Sequence, residues 1–153
     1  MLAQLVEQDI CNIQVAGSSP ARGSIMKTCL NCGKELVGNK KYCNNKCQSD
    51  YQYKEWIIRW KQGLEAGLKG EYGISCHLKR YLFEKFNNKC CKCGWGEINP
   101  YSQTIPLEID HIDGDYYNNV EENLQLLCPN CHALTENFGS RNENCTRIDK
   151  RYR

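Results

Sequence analysis

Cysteine spacing constrains this chain more than any other feature. Cys29-x2-Cys32 is followed by Cys43-x3-Cys47, and Cys90-x2-Cys93 by Cys128-x2-Cys131. Two thiolates at such spacing converge on one ion, and two such pairs make the tetrahedral four-sulfur arrangement of structural zinc. Disulfides are the competing reading, since 12 cysteines in 153 residues approach the density of a small secreted scaffold. The opening run MLAQLVEQDICNIQVAGSSPARGS argues against it, because it lacks the basic start and continuous apolar stretch of an export signal. No apolar run nears the roughly 18 residues of a membrane span. The expectation is two structural zinc sites in a soluble, cytoplasmic protein. Cys11, Cys76, Cys91 and Cys145 follow no spacing rule and read as ordinary thiols.

Residues 1–25 differ from the rest. AQLVE can be encoded by GCT CAG TTG GTA GAG, the D-arm of a bacterial tRNA gene, and GSSP by GGT TCG AGT CCT, its T-arm, in the right order. The expectation is a tRNA gene read as protein, with the true start at Met26; the alternative is a poorly structured extension. Residues 26–62 would form a four-cysteine zinc module and a helix, on which Tyr53, Trp56, Ile57 and Trp60 make one apolar stripe. Residues 63–74, with Gly63, Gly67, Gly70 and Gly73, read as a linker. A second helix is expected after Ser75 as N-cap, with Leu78, Tyr81, Leu82 and Phe86 on one face. The remainder reads as strand (IPLEIDHI), loop, strand (LQLL) and a helix PNCHALTENF behind Pro129.

The loop between the second pair of cysteine motifs holds Asp110, His111 and Asn123, with His132 just beyond it. An EF-hand is excluded, because Ile112 stands where the DHIDGD run would need a third-position ligand. His132 as a ligand of the adjacent zinc is the other alternative, although four thiolates already complete a tetrahedron.

The run LEIDHIDGDYYNNVEENLQLLCPNCHALTENFGSRN, with CCKCG upstream, resembles the HNH (His-Asn-His) nuclease family in its four-cysteine zinc version, over about residues 89–142. The resemblance implies an α+β fold: a small ββα-metal nuclease domain over 75–142, preceded by the zinc-knuckle module and helices. It implies His111 as general base, Asp110 and His132 as ligands of a catalytic divalent cation (Mg2+ or Mn2+), and Asn123 as an orienting residue that holds His111. The nine-residue separation of Asn123 and His132 is the one the family uses. Glu136, one helical turn after His132, is a further candidate ligand, with a solvated helix residue as the alternative. The implied activity is hydrolysis of DNA to 5′-phosphate and 3′-hydroxyl ends, in a bacterial or phage-infected cell, with other phage or mobile-element proteins as further partners. A non-catalytic zinc-bearing DNA-binding or docking protein is the competing reading.

Charge does not separate these readings. The formal balance is +2, and each zinc held by four thiolates adds two negative charges, so near-neutrality says nothing against a DNA enzyme. Phosphate contacts must be local. Arg141 and the basic tail 143–153, with Arg147, Lys150, Arg151 and Arg153, are the first candidates. Lys79, Arg80, Lys85, Lys89 and Lys92 follow.

Overall fold

The computed structural model describes residues 27–70 and 73–143. The leader 1–25, Cys11, Cys145 and the tail residues Arg147, Lys150, Arg151 and Arg153 lie outside the described residues.

Two-residue strands β1 (Lys27–Thr28) and β2 (Glu35–Leu36) pair antiparallel around the first cysteine motif. The chain then enters α1 (Asn45–Lys61), whose N-cap Asn44 accepts a hydrogen bond from the Cys47 amide at 2.8 Å. Cys47 thus sits in the first turn of a helix, close behind Cys43. From the aromatic stripe of α1, Tyr53 and Trp60 are buried and Trp56 and Ile57 half-buried. The glycine-rich segment read as a linker holds a tight hairpin, β3 (Leu68–Lys69) with β4 (Gly73–Ile74), and leads through Ser75 into α2 (Cys76–Lys85). Ser75 Oγ accepts from the His77 amide, as an N-cap does. Leu78 and Leu82 of α2 are fully buried.

The second cysteine pair brackets an antiparallel ladder of β5 (Glu108–His111) and β6 (Leu124–Leu127), in the register Asp110↔Gln125 and His111↔Leu124. Helix α3 (Pro129–Ala133) follows at once, with Cys128 as its N-cap. Both β5 and α3 are shorter than the sequence suggested. Pro106 has no N–H to give a ladder. At the end of α3 the amide and hydroxyl of Thr135 both donate to the His132 carbonyl, and Arg141 Nη2 donates to the Ala133 carbonyl. Those are the acceptors that a continuing helix would need.

The interior consists of two small clusters. Trp60, Leu78, Leu82 and Leu124 form one, between α1, α2 and β6. Cys90, Leu107, Leu126, Leu127 and Cys128 form the other, around the second cysteine motif. Phe86 and Ile109 pack against both. This is a small mixed helix and sheet protein with four-cysteine clusters. Among the described residues no helix is long and apolar enough to cross a membrane.

Candidate functional site

Each set of four cysteines converges. The four sulfurs of Cys29, Cys32, Cys43 and Cys47 lie within 4.8 Å of one another, and so do those of Cys90, Cys93, Cys128 and Cys131. Sulfurs stand 3.3 Å apart for Cys43 and Cys47, and 3.7 Å for Cys93 and Cys128. Burial opposes the ionisation of Cys29 and Cys90. Backbone amides from Cys32, Cys43 and Asn31 around one, and from Cys128, Cys93 and Lys92 around the other, outweigh it and bring each thiol down to about 6. Crowding by the other sulfurs, Cys47 above all for Cys43 and Cys93 for Cys131, pushes those two up to about 12. Sulfurs packed so closely compete for protons unless a cation neutralises them, and each cluster can hold a zinc ion. Cys91, exposed and with its thiol raised by burial of the sulfur, stays outside the quartet.

The remaining candidates gather around β5, whose alternation sends Asp110 and His111 to opposite faces. Asp110 is buried and faces α3, where its Oδ1 lies 3.3 Å from Nε2 of His132. Gln125, its partner across the ladder, donates to Asp110 Oδ2 at 2.7 Å. The His132 ring is held from two further sides. Glu108, two residues before Asp110 and so on the same face, brings Oε2 to 2.6 Å from Nδ1, off the line of a ring N–H, so that Nδ1 has no aligned hydrogen bond. Phe138 packs edge-on at 5.1 Å. An oxygen and a nitrogen 3.3 Å apart fit two ligands of one cation with bonds of about 2.1 Å. Sequence reasoning missed Glu108; its position two residues before Asp110 on a strand was the available signal.

On the other face, His111 Nε2 lies 3.0 Å from Oδ1 of Asn119, and Tyr116 packs against the ring at 5.6 Å. The expected hydrogen bond from Asn123 to His111 is absent. Asn123 spends its side chain on the loop instead: Oδ1 accepts from the Asp113 amide at 3.0 Å, and Nδ2 donates to Asp113 Oδ1 and to the Asn118 carbonyl at 2.8 Å each. Burial opposes the ionisation of Asp113, but hydrogen bonds to its carboxylate from Asn118 Nδ2, at 2.6 Å, and from Asn123 Nδ2 outweigh it and hold it below the usual carboxylate range. Asn123 therefore fixes the loop that returns from His111, and Asn119 holds the ring. Gly114 closes that loop at φ +77, with Asn142 and Asn137 so near that a methyl group there would collide.

Glu136 does not join the site. It is exposed and follows the end of α3, so the helical turn that would have aligned it with His132 does not exist. Arg141 is tied to the carbonyls of Ala133 and Thr135. Arg80 pairs with Asp50 and Glu84, and Lys85 with Glu121.

The chain is 49% identical over 55 residues to the H-N-H endonuclease F-TflIV of Escherichia phage T5. The match covers 36% of this chain and 23% of the phage protein, so the chain spans about a quarter of that relative's length. No family model matches. No solved structure matches. The relative bears out the resemblance to the HNH nuclease family carried by residues 89–142, and the two four-cysteine clusters fit the zinc-bearing type of that family.

Proposed function

We propose that residues 75–142 form a ββα-metal nuclease unit that hydrolyses phosphodiester bonds of DNA. One observation carries this reading: Asp110 of β5 and His132 of α3 meet at 3.3 Å as a cation-ligand pair, and His111, the next residue and the last of β5, carries an imidazole held by Asn119 where the strand gives way to the loop. Gln125 pins one oxygen of Asp110 and leaves the second directed at His132. Asp110 and His132 would hold a divalent cation, Mg2+ or Mn2+, and when bound it neutralises phosphate oxygens and stabilises the departing 3′ oxygen. His111 takes a proton from the attacking water as the new oxygen–phosphorus bond forms. Breaking the bond to the 3′ oxygen leaves a 5′-phosphate and, after protonation, a 3′-hydroxyl. Asn123 keeps the loop closed, so that the imidazole meets the phosphate in one orientation. The two cysteine quartets hold structural zinc, and the tail cations Arg147, Lys150, Arg151 and Arg153 neutralise flanking phosphates.

The test is nicking of a supercoiled plasmid by zinc-loaded protein with and without Mg2+ or Mn2+. Cleavage should need the added cation and should disappear in His111→Ala. Equal background nicking by protein and variant across both metals would sink the enzyme reading.

A further inference from the structure

Asn119 was no candidate from the sequence, where it is the second residue of an ordinary loop pair, Asn118-Asn119. In the fold it is buried to 4% exposure. Its amide nitrogen lies 3.2 Å from the Ala66 carbonyl and 3.3 Å from the Tyr117 carbonyl. Carbonyl oxygens only accept, so the atom facing them is the NH2 group, and the atom 3.0 Å from His111 Nε2 is the amide oxygen. That oxygen also only accepts. Nε2 must therefore carry a hydrogen, and in the neutral ring the lone pair sits on Nδ1, which has no protein hydrogen-bond partner among the described residues. One side chain thus selects both the orientation and the tautomer of the imidazole.

Asn119 is in turn set from a distant part of the chain. Trp60 Nε1, at the end of α1, donates to its backbone oxygen at 2.9 Å. Ala66, 53 residues away in sequence, supplies an acceptor for its amide. Gly67 packs so tightly that an added Cβ would stand 2.7 Å from Asn119 Cβ and 3.0 Å from Leu78 Cδ2. The backbone at Gly67 has φ +75, a conformation that side chains disfavour. Nothing in cluster packing requires the Trp60 N–H to end on the residue that holds His111.

We infer that Asn119 is a positioning residue for His111, and that the end of α1 and the segment 63–67 act through it as part of the catalytic unit. This rests on the nuclease reading for its consequence, though not for its geometry. The protein holds three histidines, so imidazole 15N spectra of the full-length, zinc-loaded chain resolve each ring, with His111→Ala assigning the signal. With the ring neutral, His111 should show the Nε2–H pattern. Asn119→Ala should give a mixture of tautomers and a 10- to 100-fold lower kcat, the range for a lost orienting partner, with KM for DNA and zinc content retained. Trp60→Phe keeps an aromatic ring and removes only the N–H; it should move both readouts in the same direction by a smaller factor, and it serves where Asn119→Ala fails to fold. An Nδ1–H pattern in the unmodified protein, or an unchanged tautomer and kcat in the folded variants, overturns the inference. A tautomer that responds as expected in a protein that cuts no DNA upholds the role of Asn119 and sinks the nuclease reading alone.

Discussion

Cys128→Ser separates a metal-built module from a thiol-lined core, because the structure gives Cys128 three tasks that serine inherits unequally. Cys128 is 5% exposed within the cluster of Leu126 and Leu127. As N-cap of α3 it accepts from the Cys131 amide at 3.4 Å, and its sulfur is one of four that converge. Serine is among the best N-caps, so the helix start is kept. Burying a hydroxyl in place of a thiol costs about 1–3 kcal/mol. If packing and capping were all, the variant would lose about that much. A structural zinc supplies roughly 10–16 kcal/mol of apparent binding free energy, and losing one of four ligands forfeits about a quarter, on the order of 3 kcal/mol. Together the losses rival the whole stability of a small domain, about 5–15 kcal/mol. About 3 kcal/mol is roughly a hundredfold in affinity, so after dialysis against a chelator matched to the parent's affinity, zinc released by a thiol reagent and read with a chromophoric chelator should fall from two per chain to one. Near-ultraviolet circular dichroism, sensitive to Trp95 beside this cluster, should collapse. Retention of two zinc ions and a urea unfolding free energy within about 1 kcal/mol of the parent would refute the argument. His132→Ala, one residue past Cys131, should keep both zinc ions and the fold while losing cleavage.

Further outcomes follow for Glu121, Leu126, Arg141 and the basic tail. Glu121 meets Lys61 at 3.0 Å and Lys85 at 2.7 Å; burial opposes its ionisation, but hydrogen bonds from Lys85, Tyr81 and Lys61 outweigh it and hold it at about 2. A carboxylate lowered on folding stabilises the fold above its unfolded pKa and loses that contribution as pH falls from about 4.5 towards 2. Glu121→Gln should therefore cost about 1 kcal/mol at pH 7, after allowance for screening of these half-exposed pairs, and nearly nothing at pH 2; melting curves with a constant gap over that range would contradict it. Leu126→Ala, at a fully buried position of β6, should cost about 2–5 kcal/mol in urea unfolding. Removing residues 144–153 should lower the slope of log K against log salt for DNA binding by about three to four, from four lost phosphate contacts, whereas Arg141→Ala, whose guanidinium closes the end of α3, should cost about 1 kcal/mol of stability and leave that slope unchanged.

Legibility in the sequence followed the range of the interaction. The cysteine quartets were readable because their pairs are local and tetrahedral chemistry supplies the rest. The stripe Tyr53, Trp56, Ile57 and Trp60 and the cap at Ser75 were readable because helix periodicity and capping act within one or two turns. The length of α3 was not. PNCHALTENF keeps helical spacing throughout, yet the Thr135 hydroxyl and Arg141 capture the carbonyls on which extension depends, and Arg141 reaches them only after the chain has turned back. The glycine-rich stretch 63–74 failed for a related reason. Glycines signal a break in helix, and the same glycines permit the tight β3–β4 hairpin and the close approach of Gly67 to Asn119.

At the site the same distinction decides which residues could be found. Asp110, His111, Asn123 and His132 form a pattern along the chain. Asn119 differs from Asn118 in nothing that precedes folding. What distinguishes it is that its backbone oxygen lies under Trp60 and its amide reaches Ala66, contacts made only once α1 has packed on α2 and β6. Each half carries a cysteine quartet beside a small interior cluster, and the contacts between the halves are free to carry a second task. Ile109, between Glu108 and Asp110 in sequence, packs against both clusters. The strand that carries the site is thereby packed against both clusters through one side chain, and a change in either cluster reaches His111 through one residue of backbone. A substitution in the α1–α2 packing, far from any cysteine, should therefore lower cleavage before it lowers zinc content.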